Sequence, residues 1–244
     1  MPELERPFLV KVCGITREED ARTAIESGAK ALGFNFYTKS PRYISPESAK
    51  QIVQAVPGDY MKVGVFVNAT EAELERISAE VPLDVVQLHG EHSAMPVAGY
   101  IIWRALTAGS SLPEPDRKIE AYLLDSHSPG YGGSGKTFDW ALAERFPYRK
   151  ILAGGLDGAN VAEAIATVRP CGVDACSRLE SQPGKKDPER VRAFVAAALA
   201  AAEKLNQSPE RSDGCLLPNR SPERSDGCLL SNPTPERTDE AFSL

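Results

Sequence analysis

Cysteine and histidine are scarce in this 244-residue chain, and what little there is excludes several chemistries. The five cysteines, Cys13, Cys171, Cys176, Cys215 and Cys228, show no C-x-x-C spacing, and their odd number speaks against a disulfide framework. The three histidines, His89, His92 and His127, are too few and too badly spaced for a zinc site. No long hydrophobic run occurs: Ala193 to Ala202 is the longest, half of the roughly 20 residues that a membrane-spanning helix needs. The first residues, Met1-Pro-Glu-Leu-Glu-Arg-Pro7, are polar and acidic and lack the basic start and apolar core of a secretory signal. Positive charge is in deficit too, with 28 Lys and Arg against 34 Asp and Glu, and it is scattered. A nucleic-acid-binding surface needs a concentrated basic face. The expectation is a cytoplasmic protein with reduced thiols, without nucleic-acid or membrane partners, acting on a small molecule as a monomer or homodimer.

What is present is a regular alternation. Apolar runs rich in β-branched residues at Phe8–Val12, Ala31–Phe36, Met61–Val67, Asp84–Leu88, Tyr100–Ala105, Ala121–Asp125, Lys150–Ala153 and Gly172–Ala175 read as strands. Helical periodicity fills the intervals at Glu18–Ser27, Pro46–Val56, Glu71–Glu80, Phe138–Arg145, Asp157–Val168 and Asp187–Leu205, with weaker candidates after Gly90 and near Pro113. Thr16 ahead of Glu19, Ser45 before Pro46 and Asp187 before Pro188 supply helix-start chemistry. Eight strands alternating with helices imply parallel pairing through right-handed crossovers, so the expected α/β fold is a (β/α)₈ TIM barrel over residues 1–205. An open doubly wound sheet is the competitor, but no G-x-G-x-x-G follows the first strand.

The pattern stops after Asn206. Ser208-Pro-Glu-Arg-Ser-Asp-Gly-Cys-Leu-Leu217 recurs unchanged from Ser221, and Thr234-Pro-Glu-Arg-Thr-Asp239 is a degenerate third copy, a 13-residue step. Such a unit is too short for a solenoid repeat and places Pro, Gly and charge where a packed element needs apolar residues. Residues 206–244 are therefore expected to form a flexible tail.

In a parallel barrel the active site forms at the C-terminal ends of the strands. Cys13 ends the first strand, Arg42 lies in the loop after the second, His89 closes the fourth and Asp125 the sixth. A thiol facing the barrel mouth can act as a base if nearby positive charge lowers its pKa, and Lys11 is a nearby candidate; the competing reading is a small buried hydrophobe. A carboxyl at a dry rim, as at Asp125, can hold and donate a proton, or it can cap the following loop. Gly154-Gly155 after the seventh strand, with Asp157 opening a helix, and Ser177 after the eighth offer the backbone approach of a phosphate site. The loop Ser128-Pro-Gly-Tyr-Gly-Gly-Ser-Gly-Lys136 fits the spacing of a Walker motif but not its strand-to-helix setting, and is expected to be a mobile lid.

Taken together, Lys11-Val-Cys-Gly-Ile-Thr16, Lys39-Ser-Pro-Arg-Tyr-Ile44, Val63-Gly-Val-Phe-Val-Asn68, Val86-Gln-Leu-His-Gly90, Leu124-Asp-Ser126, Gly132-Gly-Ser-Gly-Lys136, Leu152-Ala-Gly-Gly-Leu156 and Gly184-Lys-Lys-Asp187 resemble the phosphoribosylanthranilate isomerases of tryptophan biosynthesis. The resemblance runs from about Phe8 to Leu205. It implies an Amadori rearrangement with Cys13 as base and Asp125 as acid, needing neither metal nor redox cofactor. It also implies that Arg42 meets the anthranilate carboxylate, with His89, Gly154, Gly155, Ser177 and Arg178 in the substrate site. One loop departs from the pattern. The family often reads Asp-x-Ser-Ser-Gly-x-Glu, whereas this chain reads Asp174-Ala-Cys-Ser-Arg-Leu-Glu180, with Cys176 for a serine and Arg178 for a glycine. Arg178 can offset the lost glycine flexibility with its own charge. The rivals are another phosphate-handling barrel with different strand-end residues, and a silent barrel whose repeated tail recruits a partner.

Overall fold

The computed structural model describes residues 7–90, 99–125 and 139–207. Eight strands close into a barrel in sequence order: β1 Leu9–Cys13, β2 Ala31–Asn35, β3 Met61–Val67, β4 Val85–His89, β5 Ile101–Thr107, β6 Ile119–Asp125, β7 Lys150–Leu152 and β8 Gly172–Ala175. Every pairing round the ring is parallel, and β8 returns to β1 with Leu9 opposite Gly172 and Val12 opposite Ala175. Helices α1 Glu18–Glu26, α2 Pro46–Ala55, α3 Glu71–Glu80, α4 Ala141–Glu144, α5 Val161–Val168 and α6 Pro188–Gln207 lie between and after the strands. Helix α6 thus runs two residues past the expected end of the barrel at 205. Among the described residues, no helix is long and apolar enough to cross a membrane.

Strand alternation divides the core in two. Val10 and Val12 point outward into the large apolar layer beneath the helices, together with Leu32, Phe34, Val86, Leu88, Leu124 and Val173. Leu9, Ala31, Val63, Val85, Trp103, Ala121, Leu123 and Ile151 fill the inside. The same period of two carries Lys11, Gln87 and Asp174 into the middle of the barrel, and Cys13, His89 and Asp125 to its C-terminal rim. A dry floor therefore supports a polar mouth.

Some local expectations are corrected. Thr16 does not cap α1: Arg17 is its N-cap, and the Thr16 hydroxyl instead donates to the Gly184 carbonyl in the segment that follows the neighbouring strand β8. Ser45 and Asp187 do cap, accepting from Ser48 N at 3.2 Å and from Glu189 N at 2.9 Å. Helix α5 starts at Val161 rather than Asp157, because Asp157 Oδ1 folds back on the amides of Ala159 and Asn160 and holds the preceding turn. No helix forms near Pro113. A small antiparallel hairpin, β9 Glu180–Gln182 with β10 Lys185–Lys186, was not foreseen; its sequence signal is the turn dipeptide Pro183-Gly184, where Gly184 takes φ 79°. The helix candidate after Gly90, the loop 128–136, His92, His127 and the repeats from 208 onward lie outside the described residues.

Candidate active site

Cys13 ends β1 with its thiol turned inward over β2. Gly33 faces it there, and a Cβ on Gly33 would stand 2.7 Å from Cys13 Sγ and 3.1 Å from Lys11 Nζ, so the absent side chain makes room for both groups. Directly below, Lys11 Nζ donates to Asp174 Oδ1 at 2.9 Å, with the lysine fully buried. Burial pulls the Lys11 pKa down, but the charge of Asp174, the proximity of Cys13 and the hydrogen bond outweigh it, and the ammonium is held charged.

The expectation that nearby positive charge, with Lys11 as a candidate, lowers the Cys13 pKa is corrected. Lys11 does act in that direction, but its charge is already shared with Asp174. The Cys13 thiol is pushed up, first by its hydrogen bond with Cys176 and then by burial. Cys176 carries the opposite shift, down to about 7, through the hydrogen bond with Cys13 and the nearby charges of Lys186 and Arg42, against burial and Glu180. The two thiols titrate as a pair whose first proton leaves from Cys176. The sequence places Cys176 at the end of the eighth strand, where the resemblance leads to a serine; its partnership with Cys13 arises from closure of β8 on β1.

Arg42 reaches the same corner from the loop after β2. Its Nε and Nη2 grip the carboxylate of Glu180 at 2.8 to 3.1 Å, on the edge of the guanidinium nearest the stem. Lys186, also buried, donates to Glu180 Oε1 at 3.0 Å and to the Cys176 carbonyl at 3.1 Å, and its Nζ lies 3.8 Å from Cys176 Sγ. Glu180 and Lys186, both from the hairpin, were missed from sequence. They hold Arg42 and Cys176 in fixed positions.

On the other side of β8, Gly154 and Gly155 follow β7 with φ of 85° and 64°, values that exclude ordinary side chains and let amide groups face an anion. Asn160 Nδ2 clamps the Gly155 carbonyl at 2.9 Å. Ser177 and Arg178 lie in a 3₁₀ turn, Ser177–Leu179, and Arg178 reaches across to pair with Asp157. This rim therefore carries a cation already engaged with a carboxylate.

Asp125 ends β6, opposite Thr107 of β5, and its carbonyl accepts from Ala108 N at 2.8 Å. Ala121 and Leu123 belong to the inner core, so Asp125 continues that inward face to the rim. His89 does the same for β4. Its Nε2 lies 2.7 Å from Gln87 Nε2, and since an amide nitrogen only donates, the ring nitrogen accepts. All eight residues expected from sequence thus sit at the C-terminal end of the barrel. Among the described residues, no group of three or more His, Cys, Asp or Glu side chains could hold a metal ion.

Thiols, a carboxylic acid and a half-engaged guanidinium at the mouth of a closed barrel suit proton transfer on a small polar substrate, the chemistry of a barrel isomerase. Residues 10–197 match the family model described as N-(5'phosphoribosyl)anthranilate (PRA) isomerase. The N-(5'-phosphoribosyl)anthranilate isomerase of Geobacter sp. (strain M21) is 48% identical over 198 residues, covering 78% of this chain and 97% of that protein. The crystal structure of the Thermotoga maritima enzyme aligns with a TM-score of 0.68 at 40% identity, covering 79% of this chain and 98% of that one. A phosphoribosyl anthranilate isomerase in complex with reduced 1-(o-carboxyphenylamino)-1-deoxyribulose 5-phosphate aligns with a TM-score of 0.64 at 37% identity, covering 79% and 98%. The chain belongs to the phosphoribosylanthranilate isomerase family, whose enzymes serve tryptophan biosynthesis.

Proposed function

We propose that the chain isomerises N-(5-phosphoribosyl)anthranilate to 1-(2-carboxyphenylamino)-1-deoxyribulose 5-phosphate, with Cys13 as the base and Asp125 as the acid. The observation that carries the assignment is the inward face shared by Cys13 and Asp125 at one rim, above a dry floor and beside the guanidinium of Arg42. Asp125 protonates the ribose ring oxygen as the C1′–O bond breaks, and the anthranilate nitrogen supplies the electron pair that forms the Schiff base. Cys13 then takes the C2′ proton as its own thiol proton passes to the neighbouring Cys176 thiolate, leaving an enolamine that tautomerises to the ketose. C1′ is reduced as C2′ is oxidised, so the electron count closes within the substrate and the steps require only proton transfer.

The remaining contacts orient the substrate. Glu180 occupies the Nε edge of Arg42 and leaves the terminal Nη edge for the anthranilate carboxylate, a forked match. The phosphate lies at Gly154, Gly155, Ser177 and Arg178, with His89 facing the sugar from β4. Cytoplasm is the expected place of action, since Cys13 and Cys176 are free thiols that must stay reduced. The test is direct: phosphoribosylanthranilate is supplied to the purified chain without added cofactor, and the loss of substrate fluorescence is followed. Turnover is expected, and its absence from well-folded protein would overturn the reading.

A further inference from the structure

Cys13 and Cys176 come from opposite ends of the barrel sequence and meet where the ring closes. The β1–β8 ladder ends with Val12 opposite Ala175; Cys13 is the last residue of β1, and Cys176 is the first residue after β8. Adjacent strands run about 4.8 Å apart, which lies inside the Cα separation that a disulfide bridges, about 4.4–6.8 Å. The side chains converge as well. Each thiol acts on the other: interaction with Cys176 is the largest cause that raises the Cys13 pKa, and interaction with Cys13 the largest that lowers that of Cys176. A Cβ on Gly14, the residue after Cys13, would stand 2.9 Å from Cys176 Sγ. Lys186 and Arg42 supply positive charge around Cys176, which is partly exposed, whereas Cys13 beneath is buried.

We infer that Cys13 and Cys176 form a redox-active dithiol, which a hydroperoxide closes to a disulfide that reversibly shuts off turnover. Nothing in the isomerisation uses Cys176 in this way. The loss of turnover rests on Cys13 being the base; formation of the bond does not. In the first step the Cys176 thiolate attacks the peroxide, an S–O bond forms, the O–O bond breaks, and the leaving oxygen takes a proton as water or alcohol. Cys176 is then a sulfenic acid, oxidised by two electrons, and the peroxide is reduced by two. In the second step Cys13 attacks that sulfur, the S–S bond forms, the S–O bond breaks, and hydroxide leaves with the Cys13 proton as water. A dithiol reductant reverses the change through a mixed disulfide. The electropositive, accessible thiol is the one expected to react first, and the buried one to resolve it. Cys171 serves as an internal comparison: it sits at the opposite end of β8, where its thiol donates to the Lys150 carbonyl.

The experiment treats the full chain with hydrogen peroxide, blocks remaining thiols by alkylation, and maps the peptides by mass spectrometry under non-reducing conditions. A Cys13–Cys176 linked peptide is expected, appearing at the rate at which turnover is lost, and dithiothreitol should restore at least nine-tenths of the activity, about the recovery a fully reversible bond allows. Cys176→Ser should form no such link and lose activity at least about 10-fold more slowly, relative to its own untreated rate. Absence of the linked peptide, or equal and equally reversible inactivation of Cys176→Ser, would overturn the proposal. Linked protein that still turns over would overturn the switch. Untreated Cys13→Ser, assayed in parallel, reports separately whether Cys13 is the base.

Discussion

Lys11 and Asp174 form an ion pair at 2.9 Å inside the barrel, one layer below the Cys13 thiol, with no solvent-exposed surface on the lysine. Both residues point inward because their strands are in register, Lys11 opposite Asp174. A buried pair is costly to assemble, but removing one member is costlier, since the other charge is then left without a partner. Lys11→Met is expected to destabilise the fold by about 3–5 kcal/mol in urea unfolding, and Lys11→Met with Asp174→Leu to recover most of the loss. The Lys11 pKa is raised above 10.5, so its contribution is complete below that pH and is lost only as pH rises through the higher folded value. Unfolding free energy should accordingly show no pH dependence from this pair between neutral pH and about pH 9, where its contribution is complete.

The pair also shows what the sequence could and could not reveal. Strand positions such as Met61–Val67 were legible because β-branched alternation has a short local period. Lys11 and Asp174, like Cys13 and Cys176, are separated by most of the barrel, 163 positions for the ion pair. Only closure of β8 on β1 brings them together, and no local pattern encodes that. The hairpin that carries Glu180 and Lys186 was missed for a different reason. Its strands are three and two residues long and polar, Glu-Ser-Gln and Lys-Lys, so they lack the apolar period that marks a strand. Its charges act by holding other site residues.

Cys13→Ser and Asp125→Asn should each lower kcat by about 100-fold or more while leaving circular dichroism unchanged, because each removes a proton acceptor or donor without altering side-chain size much. A near-normal rate in either variant would remove that residue from the mechanism. The wild-type rate should rise as pH passes upward through about 7, where Cys176 gives up the first proton of the thiol pair. In Cys176→Ser this limb should leave pH 7. The kcat–pH profiles, read with the ultraviolet absorbance of the thiolate, check both statements.

Glu180 fixes the guanidinium of Arg42 through three hydrogen bonds. Glu180→Gln keeps the shape but leaves the Arg42 and Lys186 charges without their shared counter-ion. Hydrogen bonds to charged groups contribute about 1.5–3 kcal/mol, so KM should rise by about 10-fold or more. The effect on kcat should be smaller, since the proton-transfer groups are untouched. Steady-state kinetics would show the split, and a fall in kcat with KM unchanged would contradict a positioning role.

Arg178 stands where the family often has glycine, and its contact with Asp157 ties the 3₁₀ turn after β8 to the loop after β7. If its charge helps to hold the phosphate, Arg178→Ala removes an exposed, partly neutralised cation. Such charges contribute about 1 kcal/mol or less, so a rise in KM of about 5-fold is the expected ceiling. Added salt screens an exposed charge and should narrow the difference between wild type and variant. Arg178→Gly restores backbone freedom as well as removing the charge, so it should bind phosphate at least as well as Arg178→Ala. Inorganic phosphate as a competitive inhibitor reads this directly. An inhibition constant unchanged in both variants would place Arg178 outside the phosphate site, leaving Gly154, Gly155 and Ser177 to carry it.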